Sequence, residues 1–282
     1  MKLILLLCAV TVVAAEVSNS SRGYHQMFGV PQAEKIRVRE GITSRIVGGM
    51  PSYVGENPFL AGLIIELTNG LTSVCAGTLL NARKILTAGQ CWYDGYWQGK
   101  SITAVVGSTR LFAGGERQNV YSIVVHPQFD PIEITNDLAM LSVQGFTLLS
   151  VVQPASLPLL RVNETFTGYN ARVAGYGVTN DRGQITSAQQ QYTVYVQVIP
   201  NEQCDALYSQ KIDSNMICTS GSHSWGPCNG DGGAPLVINH NYLENILIGV
   251  SSFHAVAGCQ SGLPFGYMRV TAYLPWIQSL LY

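Results

Sequence analysis

The residues best placed to do chemistry fall into three sets. The first is a cleavage site. Arg45 ends a polar stretch and is followed by Ile46-Val47-Gly48-Gly49. Cutting after Arg45 creates a new ammonium at Ile46, and such a charge tolerates burial only against a carboxylate. The second set is the cysteines. There are seven, of which Cys8 lies in the N-terminal apolar run. The other six are Cys75, Cys91, Cys204, Cys218, Cys228 and Cys259. An even number in an exported chain implies disulfides, with 15 pairings open to six cysteines. No Cys-x-x-Cys pair suggests a zinc site, and no motif calls for a metal or a cofactor. The third set is two glycosylation triplets, at Asn19 and Asn163.

These residues sit in a chain of 282 residues with 47% hydrophobic content and 29 glycines, enough for a sizeable core with many tight turns. The net charge of -1 gives no electrostatic case for nucleic-acid binding. Lys2, the apolar run to Val13 and the small residues Ala14-Ala15 read as a signal peptide over residues 1–15. That run is too short to span a bilayer, which takes ~20 residues, so the expectation is secretion without membrane attachment. Residues 16–45 are polar, lack cysteine, and read as a propeptide. From Ile46 the pattern changes. Short apolar runs such as Leu60–Leu67, Lys84–Ala88, Tyr192–Val198 and Ile246–Val250 alternate with Gly, Asn, Asp and Pro. They have the length and β-branched content of strands, and their spacing predicts an all-β sandwich or barrel. Near the end, Leu274, Ile277 and Leu281 recur at helical spacing, with Pro275 at the start.

Four further motifs fall into order along residues 46–282. They are Cys75-Ala76-Gly77-Thr78-Leu79 leading to Leu86-Thr87-Ala88-Gly89-Gln90-Cys91, then Asn136-Asp137-Leu138-Ala139, then Cys228-Asn229-Gly230-Asp231-Gly232-Gly233-Ala234-Pro235, then Gly266-Tyr267-Met268-Arg269-Val270-Thr271. Together they resemble the chymotrypsin-like serine proteases, and the sequence is similar to digestive chymotrypsins of moth and butterfly larvae. The resemblance implies two six-stranded antiparallel β-barrels with a cleft between them and a short C-terminal helix. It implies the pairs Cys75–Cys91, Cys204–Cys218 and Cys228–Cys259. It also makes Asp231 the partner for the Ile46 ammonium.

Acyl transfer needs a hydroxyl nucleophile, an imidazole base and a carboxylate that orients the imidazole. The resemblance assigns these roles to positions 90, 137 and 232, which here carry Gln90, Asp137 and Gly232. An amide cannot take a proton near neutral pH, and glycine has no side chain. Asp137 is then expected to accept a hydrogen bond from the Gln90 amide. The backbone N–H groups of Gly230 and Gly232 are expected to persist as an oxyanion-hole-like pair. Gly226 matches the floor of the specificity pocket and Phe265 its wall, with Ser252 and His254 on the adjoining strand. A benzyl group at Phe265 is expected to fill that pocket. His126 is expected on a surface strand, and His223, His240 and His254 as surface or pocket residues. The whole describes a non-catalytic homolog that binds a protein partner, with an active endopeptidase and a secreted storage protein as alternatives. Partners in view are proteases, protease inhibitors or other secreted proteins. After Arg45 the only lysines are Lys84, Lys100 and Lys211, against seven arginines. Arginine stays charged where lysine neutralises, so this composition suits an alkaline fluid such as a larval gut lumen.

Overall fold

The computed structural model describes residues 23–34, 50–177, 191–208, 211–222, 226–240 and 244–282. Residues 1–15, read from the sequence as a signal peptide, the stretch around Arg45 and Ile46, Asn19 and His223 lie outside these, as does the side chain of His240.

Strand β1 (Met50–Pro51) opens the protease-like region. The first sheet then takes β2 (Leu60–Leu67), β3 (Thr72–Asn81), β4 (Lys84–Thr87), β5 (Gly99–Val106), β6 (Glu116–Asn119), β7 (Ser122–Val125) and β8 (Ala139–Ser142). Their order is β6-β5-β2-β3-β4-β8-β7, with every pairing antiparallel. The second sheet takes β9 (Asn170–Gly175), β10 (Tyr192–Ile199), β11 (Met216–Thr219), β12 (Pro235–His240), β13 (Glu244–Phe253) and β14 (Phe265–Arg269). Its order is β1-β10-β11-β14-β13-β12-β9, and β9 also pairs with β10. That extra pairing closes a six-stranded ring, with β1 appended outside it. Closure removes the unpaired edges that an open sheet presents to solvent. The expected barrel of six strands is thus met in the second half, while the first half uses seven strands.

The sequence pattern explains the elements. β2 is buried at every position but Ile64 and Glu66, and it lies between β3 and β5 in register. Its side chains Leu63, Ile65 and Leu67 fill the first core, with Ile85, Leu86 and Leu141 from β4 and β8. The second core gathers Val173, Ile217, Leu236, Ile248, Phe265 and Tyr267. Burying such a side chain contributes about 1.5–3 kcal/mol. A helix over Leu274–Ser279 closes the chain, with Pro275 in its first turn and Leu274 and Ile277 buried. Cys75–Cys91, Cys204–Cys218 and Cys228–Cys259 are bonded.

One segment departs from the expected organisation. Residues 24–34, within the polar stretch read as a propeptide, form a helical run of π geometry at His25–Gly29. The run is not a solvated tail. Tyr24, His25, Gln32 and Ala33 are buried, and Tyr24 belongs to the first core.

Candidate functional site

Gln90 sits in a single turn of 3-10 helix, Gly89–Cys91, which the Cys75–Cys91 bond ties to β3. Asp137 lies in the loop entering β8, just after Asn136, whose φ of 52° is left-handed. Asparagine is among the few non-glycine residues that adopt this conformation readily. The loop so shaped turns the Asp137 carboxylate inward, fully buried. Gln90 reaches it twice, the backbone N–H donating to Oδ1 at 2.8 Å and Nε2 donating to Oδ2 at 2.8 Å. The Ser252 hydroxyl donates to the same Oδ2 at 2.6 Å. The second amide proton of Gln90 goes to the Ser252 carbonyl at 2.6 Å. Burial raises the Asp137 carboxyl to about 6, and the bonds from Ser252 and Gln90 oppose that rise. Ser252, expected as a pocket residue, thus spends its hydroxyl on Asp137. That hydroxyl links β13 of the second sheet to the loop that enters β8 of the first.

Gly232 lies in the loop ahead of β12, with its carbonyl 3.5 Å from the sulfur of Cys91, the neighbour of Gln90. Its carbonyl accepts from the Ala76 N–H at 2.8 Å, and the next residue, Gly233, donates to the Ser251 carbonyl at 2.9 Å. One bond goes to the first barrel and one to the second, so the loop is clamped between them. Gly233 has φ of 79°, and its Cβ position is blocked by Thr87 and the Ala76 carbonyl, so only glycine fits. The Gly232 N–H, half of the expected oxyanion-like pair, donates to the Tyr24 hydroxyl at 3.2 Å.

Asp231 is buried behind this loop. It accepts from the backbone N–H of Gly177 at 2.8 Å and of Cys228 at 2.9 Å, and from the Tyr192 hydroxyl. Burial raises its carboxyl to about 7 despite these bonds. Arg45 and Ile46, the other members of the expected switch, lie outside the described residues. Among the described residues, the donors around Asp231 are neutral.

The pocket residues divide. The Phe265 ring lies against Gly226, where even a Cβ would collide with it, and Phe265 is 1% exposed. The space next to Gly226 is therefore filled by the chain itself. His254 is half-buried, and its ring meets Phe28 at 5.3 Å between centroids. His126 is elsewhere, packed edge-on against Tyr273 and Trp276. Asn163 is exposed, as a glycan acceptor must be.

Sequence reasoning missed Tyr24 and Gln32, which lie against Gly232 and Gly230, and their neighbours His25 and Phe28. The Tyr24 hydroxyl donates to the Val74 carbonyl at 2.9 Å. His25 Nδ1 and the Ser73 hydroxyl are 2.9 Å apart, and the His25 N–H donates to Asp94 at 2.8 Å. The one available signal was the aromatic spacing Tyr24-His25-x-x-Phe28 in an otherwise polar stretch, which puts the rings of Tyr24 and Phe28 on one helical face.

Two barrel-like antiparallel sheets with a buried carboxylate where they meet define a two-barrel serine protease scaffold. The family model described as Trypsin matches residues 46–277, and the chain belongs to that family. It is 36% identical over 249 residues to a collagenase of Hypoderma lineatum, covering 88% of this chain and 90% of the relative. It is 32% identical over 239 residues to brachyurin of Leptuca pugilator, covering 83% of this chain and 97% of the relative. The solved structure titled HL collagenase superposes with a TM-score of 0.74 at 33% identity, covering 83% of this chain and 97% of that one. Among the described residues, no helix is long and apolar enough to cross a membrane.

Proposed function

We propose that this chain is a secreted serine protease homolog that does not hydrolyse peptides and acts by binding a protein partner. The observation that carries the reading is the Gln90–Asp137 pair. The amide Nε2 has both protons engaged, one by Asp137 and one by the Ser252 carbonyl. Nothing at residue 90 accepts a proton near neutral pH, and no side-chain oxygen exists at residue 232. Loss of single triad members elsewhere lowers turnover by roughly 10⁴–10⁶. The three disulfides and the leader support secretion. An alkaline gut lumen fits the lysine-poor composition. Partners of matching chemistry are proteases and their inhibitors, since a kept scaffold keeps the surfaces that such proteins recognise.

The named relatives favour a second reading, an active endopeptidase, because collagenase and brachyurin are names of proteases. One experiment separates the two. The full chain, cut after Arg45, is assayed on chromogenic peptides beside a Gln90→His, Gly232→Ser variant. The expected result is no hydrolysis by the unmodified chain. Turnover that survives purification and resists removal of contaminants would establish the endopeptidase reading. Activity gained by the double variant alone would show that only these two side chains separate the chain from catalysis.

A further inference from the structure

We propose that the cleft between the barrels is a binding site for a tyrosine-bearing helical peptide, and that residues 24–34 are its resident ligand. This goes beyond the absence of proteolysis and is tested by binding, so each idea can fail without the other.

The site reads a phenol from two sides. The Tyr24 hydroxyl donates to the Val74 carbonyl on β3 and accepts from the Gly232 N–H. One partner belongs to each barrel, so a tyrosine here bridges the cleft. The ring fits because residue 232 has no side chain. A Cβ on Gly232 would stand 2.8 Å from Cε2 and Cζ of Tyr24 and 2.9 Å from its hydroxyl. Real Cβ contacts are not that close, so any residue but glycine displaces the ring. Gly232 is then the specificity-determining residue of the site, the position where a missing side chain makes room for the ligand's.

The next residues extend the recognition. His25 meets Ser73 through Nδ1 and Asp94 through its backbone N–H. Phe28 packs on His254. Gly29 passes so near Ser73 that a Cβ there would strike its hydroxyl. Gln32 lies over Gly230, whose φ of 96° and crowded Cβ position both require glycine. The pattern Tyr-His-x-x-Phe-Gly-x-x-Gln therefore matches features of both barrels. Among the described residues, His25 Nε2, Gln32 Nε2 and Gln90 Oε1 are buried and find no hydrogen-bond partner. Buried polar groups left unpaired disfavour the docked state, which keeps the internal ligand displaceable.

The covalent layout adds a consequence. Residues 16–45 contain no cysteine, so a cut after Arg45 leaves the ligand held by non-covalent contacts only. Before the cut it competes at the effective concentration of a tethered group, on the order of mM for a short linker. After the cut it dilutes, and a partner presenting the same aromatic pattern can replace it.

The test uses the full chain and a fluorescein-labelled synthetic peptide of residues 22–34. The intact chain is expected to bind the peptide at least about tenfold more weakly than a Tyr24→Ala chain, because its own segment holds the site. A peptide with Tyr24→Phe should bind about three- to tenfold more weakly than the native peptide, through loss of the hydroxyl's bonds. A Tyr24→Ala, Gly232→Ser chain should not bind it. Should the variants not fold, amide hydrogen exchange on the intact chain decides. Residues 24–34 are expected to be protected well beyond the free peptide. Exchange as fast as in the free peptide, or equal peptide binding by the intact and Tyr24→Ala chains, overturns the proposal.

Discussion

A buried carboxylate without partners is among the costliest things a core can hold, and Asp137 accepts three hydrogen bonds from Gln90 and Ser252. Glutamine at residue 90 supplies the donor that this carboxylate needs and, as a neutral amide, takes no proton near neutral pH. The expected amide–carboxylate bond was legible in the sequence because both residues sit in motifs with fixed neighbours. The role of Ser252 was not, since the choice of which face a β13 side chain takes depends on a register shift between Ser251 and Phe253 that no pattern announces. Replacing Gln90→Ala leaves Oδ2 with only the Ser252 bond. A loss of about 1.5–3 kcal/mol is expected, the range for a hydrogen bond to a charged group. Urea denaturation of the variant and the parent at pH 8, where Asp137 is ionised, measures it. A loss within error of zero would mean that water replaces the amide.

At the scale of elements, the strands were readable and their closure was not. Runs such as Leu60–Leu67 and Tyr192–Val198 carry the β signal in their own residues, and the strands observed there are Leu60–Leu67 and Tyr192–Ile199. The β9–β10 pairing that closes the second barrel is a matter of long-range register, invisible in either strand alone. The same limit applies to Phe265. Its bulk was evident, but its contact with Gly226 is made only when β14 and the loop after β11 are brought together. That contact can be measured. Phe265→Ala should cost about 3–5 kcal/mol as a cavity change. Gly226→Ser should also destabilise, because the ring is 1% exposed and has nowhere to move. The double variant should cost less than the sum of the two, since the alanine removes what the serine strikes. Strict additivity in thermal or urea melts would place the ring away from Gly226.

At the scale of the whole molecule, three buried titrating groups make opposing demands on pH. Asp137 and Asp231 have carboxyls raised by burial to about 6 and about 7. Their neighbouring phenols, Tyr24, Tyr267 and Tyr273, are themselves raised by burial and stay protonated. Between pH 4 and 7 the folded chain thus holds protons that the unfolded chain has released, and global stability should fall as pH rises through this window. His25 runs the other way. Burial lowers it to about 4, opposed by Asp94, with Tyr24 the other titrating neighbour. Below pH 6.5 the unfolded or undocked segment takes a proton that the docked imidazole refuses, so docking of residues 24–34 should weaken as pH falls from 6.5 toward 4. The two trends oppose each other in one molecule, which makes them separable. Urea midpoints should rise from pH 7 to pH 4.5, while hydrogen-exchange protection across residues 24–34 declines over the same range. In His25→Asn the local decline should vanish and the global trend steepen, because the opposing proton is gone. If protection of the segment followed global stability upward on acidification, the imidazole would not be titrating in the cleft, and the helical segment would unfold only with the barrels.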